Sequence, residues 1–77
     1  MNTTMALPKL TEAGDSLVIT EWTVNVGDRI QADDPVLFVE TEKVAVEVCS
    51  TVTGRITQLY VQKGDVVQPG QPILEVE

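Results

Sequence analysis

Apolar and polar residues alternate in short bursts along this chain. Leu17 to Val24 (LVITEWTV) and Arg55 to Val61 (RITQLYV) alternate with a period near two and are rich in β-branched and aromatic side chains. That is the pattern of half-buried strands. VLFVE, ending at Glu40, and VAVEV, ending at Val48, repeat it. No helical apolar period persists anywhere, so no helix is expected. The punctuation between the bursts is explicit. Val26-Gly27-Asp28 and Lys63-Gly64-Asp65 place glycine where a tight turn needs positive φ, with the aspartates capping the turns through side-chain hydrogen bonds. Asp34-Pro35 and Gln71-Pro72 start strands with proline, a position that needs no ladder hydrogen bond. Several short strands at this spacing predict an all-β sandwich or flattened barrel of two sheets.

The pattern also repeats. VNVGDRIQADDPVLFVE (Val24 to Glu40) lies over VQKGDVVQPGQPILEVE (Val61 to Glu77) at a shift of 37 without gaps, with eight identities in seventeen positions. Ile19/Ile56 and Thr20/Thr57 extend the match backwards. Two halves therefore share one backbone plan and are expected to pack about a pseudo-twofold axis. Trp22, whose repeat mate is Leu59, is expected in the core, and Phe38, whose mate is Glu75, on a partly exposed face.

Between the halves lies FVETEKVAVEV, Phe38 to Val48. Glu42 and Lys43 interrupt an otherwise apolar run, and no Gly, Pro or Asn marks a turn. So short an interruption still reads as a hairpin tip. The repeat makes that tip the covalent link between the halves, and its symmetry counterpart is the place where the chain begins and stops. Lys43 is then expected to project from one extremity of the domain.

Composition narrows what such a lysine could do. Seventy-seven residues form one small domain, of a size that buries only ~60% of its unfolded surface. A self-contained enzyme is not expected, and there is no histidine to act as general base or metal ligand. Cys49 is the only cysteine, so no internal disulfide can form. It reads as a small packing residue rather than a nucleophile. Asp28 and Asp65 lack companion metal ligands. Twelve acidic and five basic residues give a net charge of −7, which disfavours nucleic acid and anionic membrane surfaces as partners. No apolar run approaches the length of a membrane span. Met1 to Thr4 reads as a frayed tail and residues 5–77 as the domain.

Residues 5 to 77 resemble the lipoyl domains of the acyltransferase components of 2-oxo acid dehydrogenase complexes. ETEKVAVEV is similar to the acidic-Thr-acidic-Lys hairpin of that family. LPKL (Leu7 to Leu10), EWTVNVGDRI (Glu21 to Ile30) and GRITQLYVQKGDVV (Gly54 to Val67) resemble its first strand, its Trp-containing segment and that segment's counterpart. The resemblance implies a barrel-sandwich hybrid of two antiparallel four-stranded sheets. It also implies a swinging-arm carrier without a catalytic group of its own. Lipoic acid would be amide-linked to Lys43, in the hairpin context of Glu40, Thr41, Glu42 and Val44. The implied partners are a lipoyl ligase or transferase, a thiamine-diphosphate-dependent 2-oxo acid dehydrogenase, the acyltransferase core and a flavoprotein dihydrolipoamide dehydrogenase. The implied setting is bacterial cytoplasm or mitochondrial matrix, with the isolated domain a monomer. Nothing beside Lys43 would activate its amine, so that task falls to the ligase, and the acidic flanks are expected to serve recognition together with the loop from Leu10 to Leu17.

Two features depart from the family. Its first surface loop is usually Gly-rich, whereas this chain has TEAGDSLV (Thr11 to Val18). Cys49-Ser50-Thr51 stands where Pro-Ser-Pro is common, and some loss of rigidity is expected there. Three other readings stand beside the carrier. Biotin carriers share the plan but have Met on both sides of the lysine, where Glu42 and Val44 stand here. An unmodified barrel-sandwich spacer or binding module would need no attachment at all. In the simplest reading, Lys43 is only a polar turn residue.

Overall fold

The computed structural model describes residues 2–9 and 17–77. The described residues form eight strands: β1 (Thr3–Ala6), β2 (Leu17–Trp22), β3 (Arg29–Ile30), β4 (Pro35–Glu40), β5 (Ala45–Cys49), β6 (Gly54–Leu59), β7 (Val66–Val67) and β8 (Pro72–Val76). No helix occurs among the described residues. All pairings are antiparallel and build two four-stranded sheets, β1-β8-β6-β3 and β5-β4-β2-β7. Pro35 and Pro72 open β4 and β8 as expected.

The alternation read from the sequence decides which side chains enter the core. In β2, Leu17 and Ile19 are buried while Val18 and Thr20 are half-exposed on the outer face. The sheet carrying β5 and β4 contributes Leu17, Ile19, Leu37, Val39, Val48 and Val67 to the interior. The other contributes Met5, Ile30, Ile56, Ile73, Leu74 and Val76. Each such burial is worth about 1.5–3 kcal/mol relative to exposure. Trp22 is half-buried and packs against this core, and its indole N–H donates to the Val61 carbonyl at 3.1 Å.

The shift of 37 becomes a physical symmetry with an exchange. It maps β2 onto β6 and β4 onto β8, so each half supplies the two central strands of one sheet. The short strands cross over: β3, from the first half, pairs with β6, and β7, from the second, pairs with β2. Neither half can therefore complete a sheet alone. The hydrogen bonds repeat pairwise. Gly27 N donates to Ile56 O at 2.8 Å and Gly64 N to Ile19 O at 2.7 Å. Asn25 N donates to Asp28 Oδ2 and Gln62 N to Asp65 Oδ2, both at 2.8 Å, which is the turn capping anticipated for the two aspartates. Gly27 and Gly64 have φ of 97° and 93°.

Two expectations change. Thr3 and Thr4, placed in a frayed tail, are the first residues of β1, opposite Val76 and Glu75. Backbone pairing with β8 and the single buried side chain of Met5 order this strand, so its own apolar pattern is too thin to reveal it. The connection after β5, expected to lose rigidity without its prolines, is tied by hydrogen bonds instead. Ser50 is 2% exposed. Its N–H donates to Asp34 O at 2.7 Å, its carbonyl accepts from Asp33 N at 2.8 Å, and its hydroxyl donates to Val52 O at 2.6 Å while accepting from Val52 N at 3.0 Å.

Candidate functional site

β4 and β5 form the central hairpin, paired from Pro35 opposite Cys49 to Glu40 opposite Ala45, with a register shift between Pro35 and Leu37. Thr41, Glu42, Lys43 and Val44 are left at the tip. Thr41 N donates to Val44 O at 2.8 Å and closes it. The return donor, Val44 N, goes to Thr41 Oγ1 at 3.2 Å, and Lys43 N donates to the same oxygen at 3.2 Å. Neither Glu42 nor Lys43 has positive φ. This answers why no Gly or Asn is present: the turn is closed by a threonine hydroxyl, and its residues keep ordinary backbone angles.

Glu42, Lys43 and Val44 are all exposed, Val44 at 52%. Glu40 is exposed at the end of β4 and Thr41 is half-buried. The five residues of the hairpin motif are thus contiguous in space as well as in sequence, with Lys43 among the exposed residues of the tip. Among the described residues Lys43 makes no ion pair, the one salt bridge being Arg55 with Glu77. A primary amine on a flexible stem, free at a hairpin tip and clear of buried structure, fits amide attachment of a carboxylic-acid cofactor.

Val18 and Thr20, not singled out from the sequence, join Glu40, Thr41 and Glu42 in lining an open, largely apolar groove of about 360 Å³ beside the tip. Their position opposite Leu17 and Ile19 in the β2 alternation was the available signal. Phe38 is half-exposed on the same sheet, as its repeat mate Glu75 had indicated. The loop expected to assist recognition falls outside the described residues from Leu10 to Ser16. Cys49 remains a bystander. Shielding from solvent, then its hydrogen bond to Glu47 and the charges of Glu47, Asp33 and Asp34, push its thiol pKa up, away from thiolate chemistry. No group of metal-ligating side chains occurs among the described residues.

Comparison with known proteins places this geometry. Residues 3–76 match the biotin/lipoyl family described as "Biotin-requiring enzyme". The chain is 38% identical over 95% of its length to a lipoamide acyltransferase component of the branched-chain alpha-keto acid dehydrogenase complex from Bacillus subtilis. It is 35% identical over 96% to a dihydrolipoyllysine-residue acetyltransferase component of the pyruvate dehydrogenase complex from Corynebacterium glutamicum. A succinyltransferase component of the 2-oxoglutarate dehydrogenase complex from Saccharomyces cerevisiae is 34% identical over 99%. The chain spans 17%, 11% and 16% of the length of these relatives. The fold matches the solution structure of an Azotobacter vinelandii lipoyl domain with a TM-score of 0.71 at 23% identity, covering 96% of this chain and 94% of that one. The chain belongs to the biotin/lipoyl attachment family, and these relatives are acyltransferase components of 2-oxo acid dehydrogenase complexes. Such a domain is a carrier module rather than a catalytic one.

Proposed function

We propose that this chain is a swinging-arm carrier in which lipoate is amide-linked to the ε-amino group of Lys43. The observation that carries the proposal is the placement of Lys43. It is exposed at the tip of a hairpin whose closing turn is fixed by Thr41 and whose flanks, Glu40, Glu42 and Val44, stand clear of the core. Glu42 and Val44 in place of methionines favour lipoate over biotin. When bound, the lipoyl group supplies a dithiolane that accepts an acyl group and two electrons. The chain's own contribution is mechanical: β4 and β5 hold the attachment point, and the two interlocked sheets keep the hairpin from yielding.

The relatives' names refer to three different complexes, so the reading proposed is their common element, a 2-oxo acid dehydrogenase complex. The corresponding partners are a lipoyl ligase or transferase, a thiamine-diphosphate-dependent dehydrogenase, an acyltransferase core and a dihydrolipoamide dehydrogenase. Residues 5–77, extended by Thr3 and Thr4, would form the carrier unit of an acyltransferase component. Its setting would be the bacterial cytoplasm or the mitochondrial matrix. The test is the intact mass of the chain after co-expression with a lipoyl ligase and lipoate, beside Lys43→Gln. One lipoyl amide in the parent and none in the variant is the expected result. A biotin-sized adduct under biotin ligase, or no adduct with a ligase active on another lipoyl domain, would overturn it.

A further inference from the structure

The tip of the hairpin presents a problem of rigidity. Two-residue hairpin loops usually use primed turns, in which residues with positive φ match the twist of the flanking strands. Glu42 and Lys43 both lack positive φ, so backbone geometry alone does not lock them. What holds the tip is one side-chain oxygen. Thr41 Oγ1 accepts from the amides of Lys43 and Val44, each at 3.2 Å, and lies 3.4 Å from the Val44 carbonyl, to which its own proton can be donated. The hydroxyl thereby stands in for the backbone carbonyl that would otherwise receive Val44 N, and it fixes the amide of the lysine itself.

We propose that Thr41 is a positioning residue for modification of Lys43. Its hydroxyl keeps the tip in the one turn from which the amine is offered to a modifying ligase. The proposal rests on the reading of Lys43 as the attachment site. It differs from a general stabilising role in what it predicts. If the hydroxyl only raises the fraction of tips in the competent turn, removing it raises the apparent KM by the inverse of the remaining fraction and leaves kcat alone. A valine keeps the β-branch and the strand preference but loses the acceptor, and a serine keeps the acceptor but loses the methyl group.

The experiment measures lipoylation kinetics by intact mass for the parent chain, Thr41→Val and Thr41→Ser, together with amide hydrogen exchange at Lys43 and Val44 in the unmodified domains. For Thr41→Val, KM should rise on the order of tenfold with kcat held within about twofold, as loss of the two hydrogen bonds implies. Exchange of those two amides should quicken, and Thr41→Ser should restore both readouts. An unchanged KM in Thr41→Val overturns the proposal. So does a raised KM without faster exchange, which would make the hydroxyl a direct ligase contact, and so does a fall confined to kcat. If the parent chain is not modified by an active ligase, the attachment reading fails and the positioning role falls with it, an outcome plainly different from a modified parent with an indifferent variant.

Discussion

The two outer faces of the sandwich occupy equivalent places in the repeat yet carry opposite chemistry. On the hairpin sheet, Val66 of β7 lies opposite Val18 of β2, which lies opposite Glu40 of β4. On the other sheet the equivalent row is Arg29, Arg55 and Glu77, with the Arg55 guanidinium bonded to the Glu77 carboxylate. In the next row, Phe38 corresponds to Glu75, which is held by the Tyr60 hydroxyl and the Asn2 amide. The backbone is duplicated closely enough that individual hydrogen bonds recur, so on these outer faces the divergence lies in side chains that the fold leaves free. One face is closed by its own polar partners. The other, with Val66 59% exposed and the groove beside Thr41, leaves apolar surface next to the lysine.

The largest expected effect breaks this comparison at the hairpin. Lys43→Gln should abolish modification while changing stability by no more than about 0.5 kcal/mol, because an exposed turn residue has no buried partner to lose. Intact mass and thermal melting check the two halves of that statement. Next come the core differences between the repeats. Position 17 is a fully buried leucine, whereas its mate is Gly54 at φ 152°, where a Cβ would meet the Glu77 carbonyl oxygen at 2.5 Å and the Val76 Cβ at 3.1 Å. Gly54→Ala should therefore destabilise by more than about 2 kcal/mol through backbone strain and displacement of Glu77 and Val76. Leu17→Ala should cost about 2–5 kcal/mol through a cavity. Denaturant unfolding of both variants decides whether the two positions are comparably critical for different reasons.

Smaller effects sharpen the contrast of faces. Val18→Arg writes the second half's residue onto the first and puts a guanidinium beside Glu40, as Arg55 lies beside Glu77. The stability change should stay within about 1 kcal/mol and diminish with added salt, as for an exposed ion pair. Melting at low and high ionic strength checks this. Tyr60 and Glu75 provide a pH readout on the polar face. Hydrogen bonding by Tyr60, then by Asn2, lowers the Glu75 pKa against the opposing effect of burial, and the same bond to Glu75 is the main cause that raises Tyr60. A lowered carboxylate contributes stability in full above its unfolded value, about 4.3, and loses it as pH falls through the lower folded value. A raised phenol contributes below its unfolded value, about 10, and loses it as pH rises through the higher folded one. The stability gap between the parent chain and Tyr60→Phe should therefore be flat between about pH 5 and 9 and shrink on both sides.

Much of this molecule was legible because its signals are local. Pro35 and Pro72, Gly27 and Gly64, and the capping aspartates each state their own turn chemistry, and the repeat carried one half's reading over to the other. What stayed hidden depends on partners distant in the chain. β3 and β7 are two residues long and have no pattern, so their exchange between sheets is visible only in the pairing. β1 owes its order to β8. Asp33 takes a left-handed φ of 76° where its repeat mate Gly70 has 89°, a conformation that aspartate tolerates better than most residues. The alignment of the two halves hinted at it, but the residue type did not. The candidate lysine was identified by its place between the repeats, whereas the hydroxyl that shapes its turn was concealed by the absence of any customary turn residue. Val18 and Thr20 were read only as strand and became part of the site once β2 was paired with β4.

The most direct test of the account uses the chain's own internal controls. Lys9, Lys43 and Lys63 are its three lysines, so peptide mapping after exposure to a lipoyl ligase reports which of them the fold presents. The parent chain should carry the lipoyl amide on Lys43 alone. A variant exchanging the tip residues, Glu42→Lys with Lys43→Glu, should remain folded and unmodified, since neighbouring backbone positions direct their side chains differently. An adduct on Lys9 or Lys63, or modification of the exchanged variant at the parent rate, would contradict presentation by the hairpin.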